Sequence, residues 1–202
     1  QGISKNIGGK QICNKFSLSI SRGERIAMVG ANGVGKTTLL NILFRDLAPD
    51  EGTIKRGTNW ITASFEQNKG SLDLDASLQE NLAGDPDIAL PGRSDQILVK
   101  GVPRHVVGYL KEFLFDPSTL RAPVRSLSGG EKSRLILAKL MAKTSNLLLL
   151  DEPTNDLDIE TLDLLQELLC EFDGTIILIS HDRDFVERVA TRVLFFEGNG
   201  RI

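Results

Sequence analysis

Cysteine is nearly missing: the 202 residues hold two, Cys13 and Cys170. No signal-like start accompanies them, so no disulfide framework is expected and both read as small core hydrophobes. Long apolar runs are missing too. Runs such as 147–150 and 176–179 are four residues long, far short of the roughly 20 that a membrane-spanning helix needs. Net charge is small: 24 Lys plus Arg stand against 27 Asp plus Glu, a balance of -3. That argues against a domain built mainly to bind a polyanion and leaves a local basic patch open. Internal repeats and low-complexity tracts are also absent. What remains is an ordinary globular composition, 41% hydrophobic and 25% charged, with a length suited to one domain, or one domain with a subdomain. The sequence opens on Gln1 instead of methionine and reads as a segment of a longer protein.

Along the chain, strand and helix signals alternate. Residues 12–20 read as a strand near a sheet edge, and 25–29 as a compact apolar strand that runs into the glycine-rich stretch 30–35. A helix is expected from about 36 to 45, then short strands at 53–55 and 60–65. The next sixty residues differ in character. Pro86, Pro91, Gly92, Gly101, Pro103, Pro117 and Pro123 punctuate them, with short helical pieces near 77–82 and 104–113. The stretch of about 70–143 therefore reads as a helical insertion within a single domain, 1–202. A helix is expected over 129–142, and the four leucines Leu147 to Leu150 read as a strand buried on both faces. Leu162, Leu165, Leu169 and Phe172 then recur at helical spacing. A buried strand over 175–179, a helix from Asp182 and a last strand over 193–196 complete the chain. Such alternation predicts an α/β fold with a mostly parallel sheet wrapped on both faces. Its sites gather at the carboxyl ends of strands.

Three motifs fall at such ends. Gly30-Ala31-Asn32-Gly33-Val34-Gly35-Lys36-Thr37 fits G-x-x-x-x-G-K-[ST] between a strand and a helix, the context of a phosphate-binding loop. Its glycines allow backbone N–H groups to turn inward around phosphate oxygens, and the helix amino terminus adds positive potential. Lys36 would reach the β- and γ-phosphates, the Thr37 hydroxyl would ligate Mg²⁺, and Thr38 completes the phosphate-binding set. Leu147 to Leu150 end in Asp151-Glu152, where Asp151 would hold Mg²⁺ through water and Glu152 would act as general base. His181 follows the strand 175–179 and would contact the γ-phosphate; a histidine there can also serve as a structural cap. Gln67 follows the strand 60–65, where its amide would complete the metal shell or orient water. Ser128-Gly129-Gly130-Glu131 is a capping box. Two glycines in a first helical turn each cost roughly 1 kcal/mol against alanine, and bare backbone at a helix start suits close approach to an anion.

Taken together these motifs resemble the ABC ATPase superfamily, over essentially the whole chain and in family order. Leu127 to Glu131 is similar to the ABC signature, and Gln67, His181 and Asn155-Asp156-Leu157-Asp158 to the Q-, H- and D-loops. Glu152-Pro153-Thr154-Asn155-Asp156-Leu157-Asp158 and Ser180-His181-Asp182-Arg183-Asp184-Phe185 resemble the ABC-F group. Gly101 to Leu110 and Phe195 to Gly200 resemble the second cassette of its Uup-type members. The resemblance implies a P-loop NTPase of ABC type, with an antiparallel edge subdomain and an inserted helical subdomain. It implies ATP and Mg²⁺ as ligands, with hydrolysis to ADP and phosphate in a head-to-tail sandwich. The partner is a second cassette, in the same parent chain or a second copy, and Ser128, Gly129 and Gly130 meet the nucleotide held by that partner. It further implies a cytoplasmic protein acting on ribosomes or nucleic acid, with no direct membrane insertion. The ATPase subunit of a membrane transporter shares this chemistry and is the alternative. At one position the sequence departs from the pattern: Ile7 stands where the family places an aromatic residue against adenine.

Overall fold

The computed structural model describes residues 1–65, 72–155 and 157–202. A five-stranded parallel sheet forms the centre, built from β3 (Arg25–Gly30), β4 (Thr62–Phe65), β8 (Leu147–Asp151), β9 (Thr175–Ile179) and β10 (Arg192–Phe196) in the order β10-β3-β9-β8-β4. The leucine run of β8 shows why this sheet needs cover on both sides. Leu147 and Leu149 point into one core with α1 (Lys36–Phe44), while Leu148 and Leu150 point into the other with α4 (Gly129–Ala142), α5 (Ile159–Cys170) and α6 (Arg183–Val189). All four are buried. Each is worth roughly 1.5–3 kcal/mol relative to exposure, which explains a strand with no polar alternation.

A separate antiparallel pair, β1 (Ile3–Ile7) and β2 (Lys10–Phe16), turns at Gly8-Gly9 and covers the α1 face through Ile3 and Cys13. The strand expected over 12–20 is thus earlier and shorter. The expected strand over 53–55 does not form. Gly52 sits at φ +87 with its backbone pressed on Gly2, where a Cβ would lie 2.5 Å from the Gly2 carbonyl oxygen. Beyond it Thr53 N donates to Gln1 O, and Ile54 packs on the core without a ladder.

The described part of the insertion is not purely helical. It holds α2 (Leu78–Ala83) and α3 (Val106–Glu112), as expected, and between them a three-stranded antiparallel sheet: β5 (Ala89–Leu90), β6 (Arg93–Val99) and β7 (Val102–His105). Its second turn, Lys100-Gly101, has φ of +50 and +83, the positive pair of a tight hairpin whose twist matches that of the strands. Ile97 drops into the core shared with α2, α3 and α4, so this small sheet is packed against those helices. Among the described residues no helix is long and apolar enough to cross a membrane.

Candidate nucleotide site

The loop after β3 is shaped by glycines that nothing larger could replace. At Gly30 φ is +154, and a Cβ would lie 2.7 Å from the Phe196 carbonyl oxygen on the neighbouring strand. At Gly35, which caps α1 with φ +118, a Cβ would lie 2.9 Å from Ile12 Cγ2. The loop is therefore clamped between β10 and β2, and α1 starts directly behind it, with Leu39 N donating to Gly35 O at 2.8 Å.

Lys36 is buried at the start of α1 and spends its ammonium inside the loop. Nζ donates to Gly30 O at 2.7 Å and Ala31 O at 3.0 Å, and lies 3.2 Å from His181 Nε2. The same His181 nitrogen is 3.0 Å from Glu152 Oε1. One ring nitrogen serves only one of these neighbours at a time: it accepts from Lys36 in one tautomer or donates to Glu152 in the other. Burial pushes the Glu152 carboxyl above its ordinary range, with His181 and then Lys36 pulling it back down. Burial likewise lowers the affinity of Lys36 for its proton, against the pull of Glu152 and Asp151. Glu152 also holds a left-handed backbone, φ +50. Its N–H still donates to Ile179 O at 2.9 Å, so the turn out of β8 begins while the ladder to β9 is intact. Beside it the Thr37 hydroxyl donates to Asp151 Oδ2 at 2.8 Å. An open cavity of about 220 Å³ lies here, lined by Asn32, Gly33 and the residues Gly35 to Thr38 of the loop, with Asp151, Glu152 and Ile179.

Four of the sequence-predicted groups are thus together: the phosphate loop, Asp151, Glu152 and His181. They stand at the carboxyl ends of β3, β8 and β9, which lie side by side in the sheet. Ser128, Gly129 and Gly130 do not line that cavity. They open α4, where Ser128 Oγ accepts from Glu131 N at 3.2 Å and donates to Glu131 Oε2 at 2.7 Å. Those bonds hold the Glu131 carboxyl below its usual range. The capping reading therefore describes this turn, with Gly129 exposed beside it. Gln67 lies outside the described residues, as does Asp156.

Ile7 sits at the end of the β1–β2 hairpin, 45% exposed and paired with Lys10. Lys10 was not singled out by the sequence. Its Nζ donates to Gly33 O, which ties the hairpin to the phosphate loop and brings Ile7 to its side. A lysine after a Gly-Gly turn carries no motif of its own, so only the fold reveals the contact.

Comparison with known proteins agrees with this geometry. The ABC transporter family model matches residues 13–155. The chain is 48% identical to the ATP-binding protein Uup of Caulobacter vibrioides and 48% identical to that of Escherichia coli K12, in each case over all 202 of its residues. It is 37% identical to the energy-dependent translational throttle protein EttA of Haemophilus influenzae. The chain spans 32%, 31% and 35% of these relatives' lengths. Among solved structures, cbiO1 of Clostridium perfringens, part of the ABC transporter complex cbiONQ, superposes with a TM-score of 0.74 at 26% identity, covering 100% of this chain and 84% of that one. From its phosphate loop, its acidic strand end, its signature turn and these likenesses together, the chain belongs to the ABC family, as a nucleotide-binding domain of the ABC-F group.

Proposed function

We propose that the chain binds Mg-ATP on the loop Gly30 to Thr38 and hydrolyses it in a sandwich with a second cassette. The observation that carries this reading is the chain of contacts Lys36–His181–Glu152, at 3.2 and 3.0 Å, across three adjacent strand ends. Lys36 and the loop N–H groups neutralise charge on the phosphates. Glu152 takes the proton of the attacking water, a task favoured by a carboxyl raised toward neutrality. His181 turns from Glu152 to the γ-phosphate. The donor set fits magnesium: a hydroxyl and a carboxylate, Thr37 and Asp151, already face each other at 2.8 Å, and Mg²⁺ takes few protein oxygens beside water and phosphate. Gln67 would join them. When bound, the ion neutralises charge on the β- and γ-phosphates. Ser128, Gly129 and Gly130 offer their open helix start to the nucleotide of the facing cassette, because they do not border their own cavity.

At the level of the whole protein, we infer action on ribosomes or nucleic acid in the cytoplasm. Support comes from the throttle relative, whose name links it to translation, at 37% identity, against 26% for the transporter subunit. Pull-down from ribosome and membrane fractions separates the two roles. The catalytic reading is tested by Glu152→Gln, which keeps shape and removes the proton acceptor. ATP binding should persist while phosphate release falls by about 10²- to 10⁴-fold. Release at the wild-type rate would overturn it.

A further inference from the structure

Arg134 lies in α4, six residues beyond Ser128, and is almost completely buried, at 7% exposure. A buried guanidinium is expensive unless its donors are used. Here they reach two separate parts of the chain, the start of α5 and the turn after α3. Nε donates to Thr161 Oγ1 at 2.9 Å in the first turn of α5. One terminal nitrogen donates to Leu114 O at 3.3 Å, just past α3 in the insertion. The other donates to Asp158 Oδ2 at 2.8 Å. The plane also lies over the Phe115 ring, 5.8 Å from its centroid.

Asp158 divides its two oxygens. Oδ1 caps α5 by accepting from Thr161 N at 2.8 Å, and Oδ2 takes the arginine. The residue stands six positions after Glu152, at the far end of the segment that leaves β8. Leu114, whose carbonyl is the third partner, is held at φ +61. A bulky residue in that conformation persists only where the surroundings fix it.

The geometry points to Arg134 as a positioning residue for hydrolysis: it clamps the helix that presents Ser128–Gly130 to the segment that begins at Glu152, and both to the insertion. This rests on the composite-site reading given above. With the clamp in place, the face offered to a partner's nucleotide and the chain's own general base keep a fixed spacing. Without it, α4 can rock against α5, and the two half-sites close out of register. Nucleotide binding to the chain's own phosphate loop does not pass through Arg134, so it is left intact.

Asp158→Asn tests this from the half-exposed end of the clamp, with Arg134 itself left in place. Asparagine caps a helix as well as aspartate does, but its amide opposes the arginine where Oδ2 accepted. Arg134→Lys is the second variant; it keeps the charge and loses the planar fork. Both are measured beside wild type and Glu152→Gln in the full chain, for kcat, KM, melting temperature and equilibrium ATP affinity. ATP-driven dimer formation is followed in the Glu152→Gln background. The expected result is a fall in kcat of up to about 10²-fold, the effect that an ångström of misplacement carries. ATP affinity stays within about twofold, well under the tenfold that 1.4 kcal/mol represents, and dimerisation needs more ATP. Wild-type kcat and dimerisation in both variants would overturn the clamp, as would loss of affinity in step with loss of stability. Absence of Glu152-dependent turnover in wild type would instead overturn the proposed function, and the clamp with it.

Discussion

Replacing Glu152 by glycine and by alanine should give two inactive proteins of different stability. Glu152 holds φ +50, a conformation that costs an L-residue roughly 1–2 kcal/mol. Alanine keeps the Cβ that causes this cost. Glycine removes it, but returns about 0.4–1 kcal/mol through the greater freedom of its unfolded chain. Both variants lose the same carboxylate and the same neighbours, His181 and Lys36, so those losses cancel in the comparison. The net difference is about 1 kcal/mol in favour of glycine. For a domain of this size that amounts to a melting temperature roughly 2–4 °C higher. Urea unfolding of the two variants, with phosphate release assayed on the same preparations, reads both quantities. An alanine variant as stable as the glycine variant would refute the idea that the backbone at this position is strained. Turnover in either would refute the role of the carboxylate.

Lys36→Ala should weaken ATP binding by about ten- to a hundredfold, the worth of a charge-assisted hydrogen bond; an unchanged affinity for a labelled analogue would show that the loop does not cradle phosphate. Because burial raises the Glu152 carboxyl above its ordinary value of 4.5 and the base must be ionised, the acid limb of kcat should lie above that pH. The folded carboxyl ionises less readily than the unfolded one, so its charge costs stability above the raised pKa. Glu152→Gln should thus be the more stable protein at neutral pH, with the advantage fading as pH falls through that pKa; pH-dependent denaturation checks the sign. Ile7→Tyr should tighten ATP binding by up to about tenfold and sharpen preference over GTP, since base–aromatic stacking is worth roughly 1–3 kcal/mol. A wild type that already prefers ATP strongly, with no gain in the variant, would place Ile7 away from the base.

Elements fixed by local causes were legible in the sequence. The helix 129–142 begins at a capping box whose two halves both form. The strand 175–179 and the leucines of β8 follow from burial on both faces. The sheet β5-β6-β7 was missed because its apolar residues do not alternate cleanly; Lys100-Gly101 between Val99 and Val102 was the available signal. The meeting of Lys36, Glu152 and His181 depends on strand order, which no local pattern states. Arg134 carries no local signal that marks it out, and only packing turns it inward.

The order β10-β3-β9 carries a consequence for how the protein comes into being. The strand that bears the phosphate loop is made early, at residues 25–30, yet both of its sheet neighbours come from residues 175–196. On a chain still being synthesised, β3 has neither of its edges covered, and Gly30 has no Phe196 to lean on. Pairings of such long sequence separation are slow to form and late to be rewarded. The hydrolytic apparatus can therefore take shape only after nearly the whole domain has emerged, and loss of the last two strands would leave the loop intact in sequence but without a scaffold.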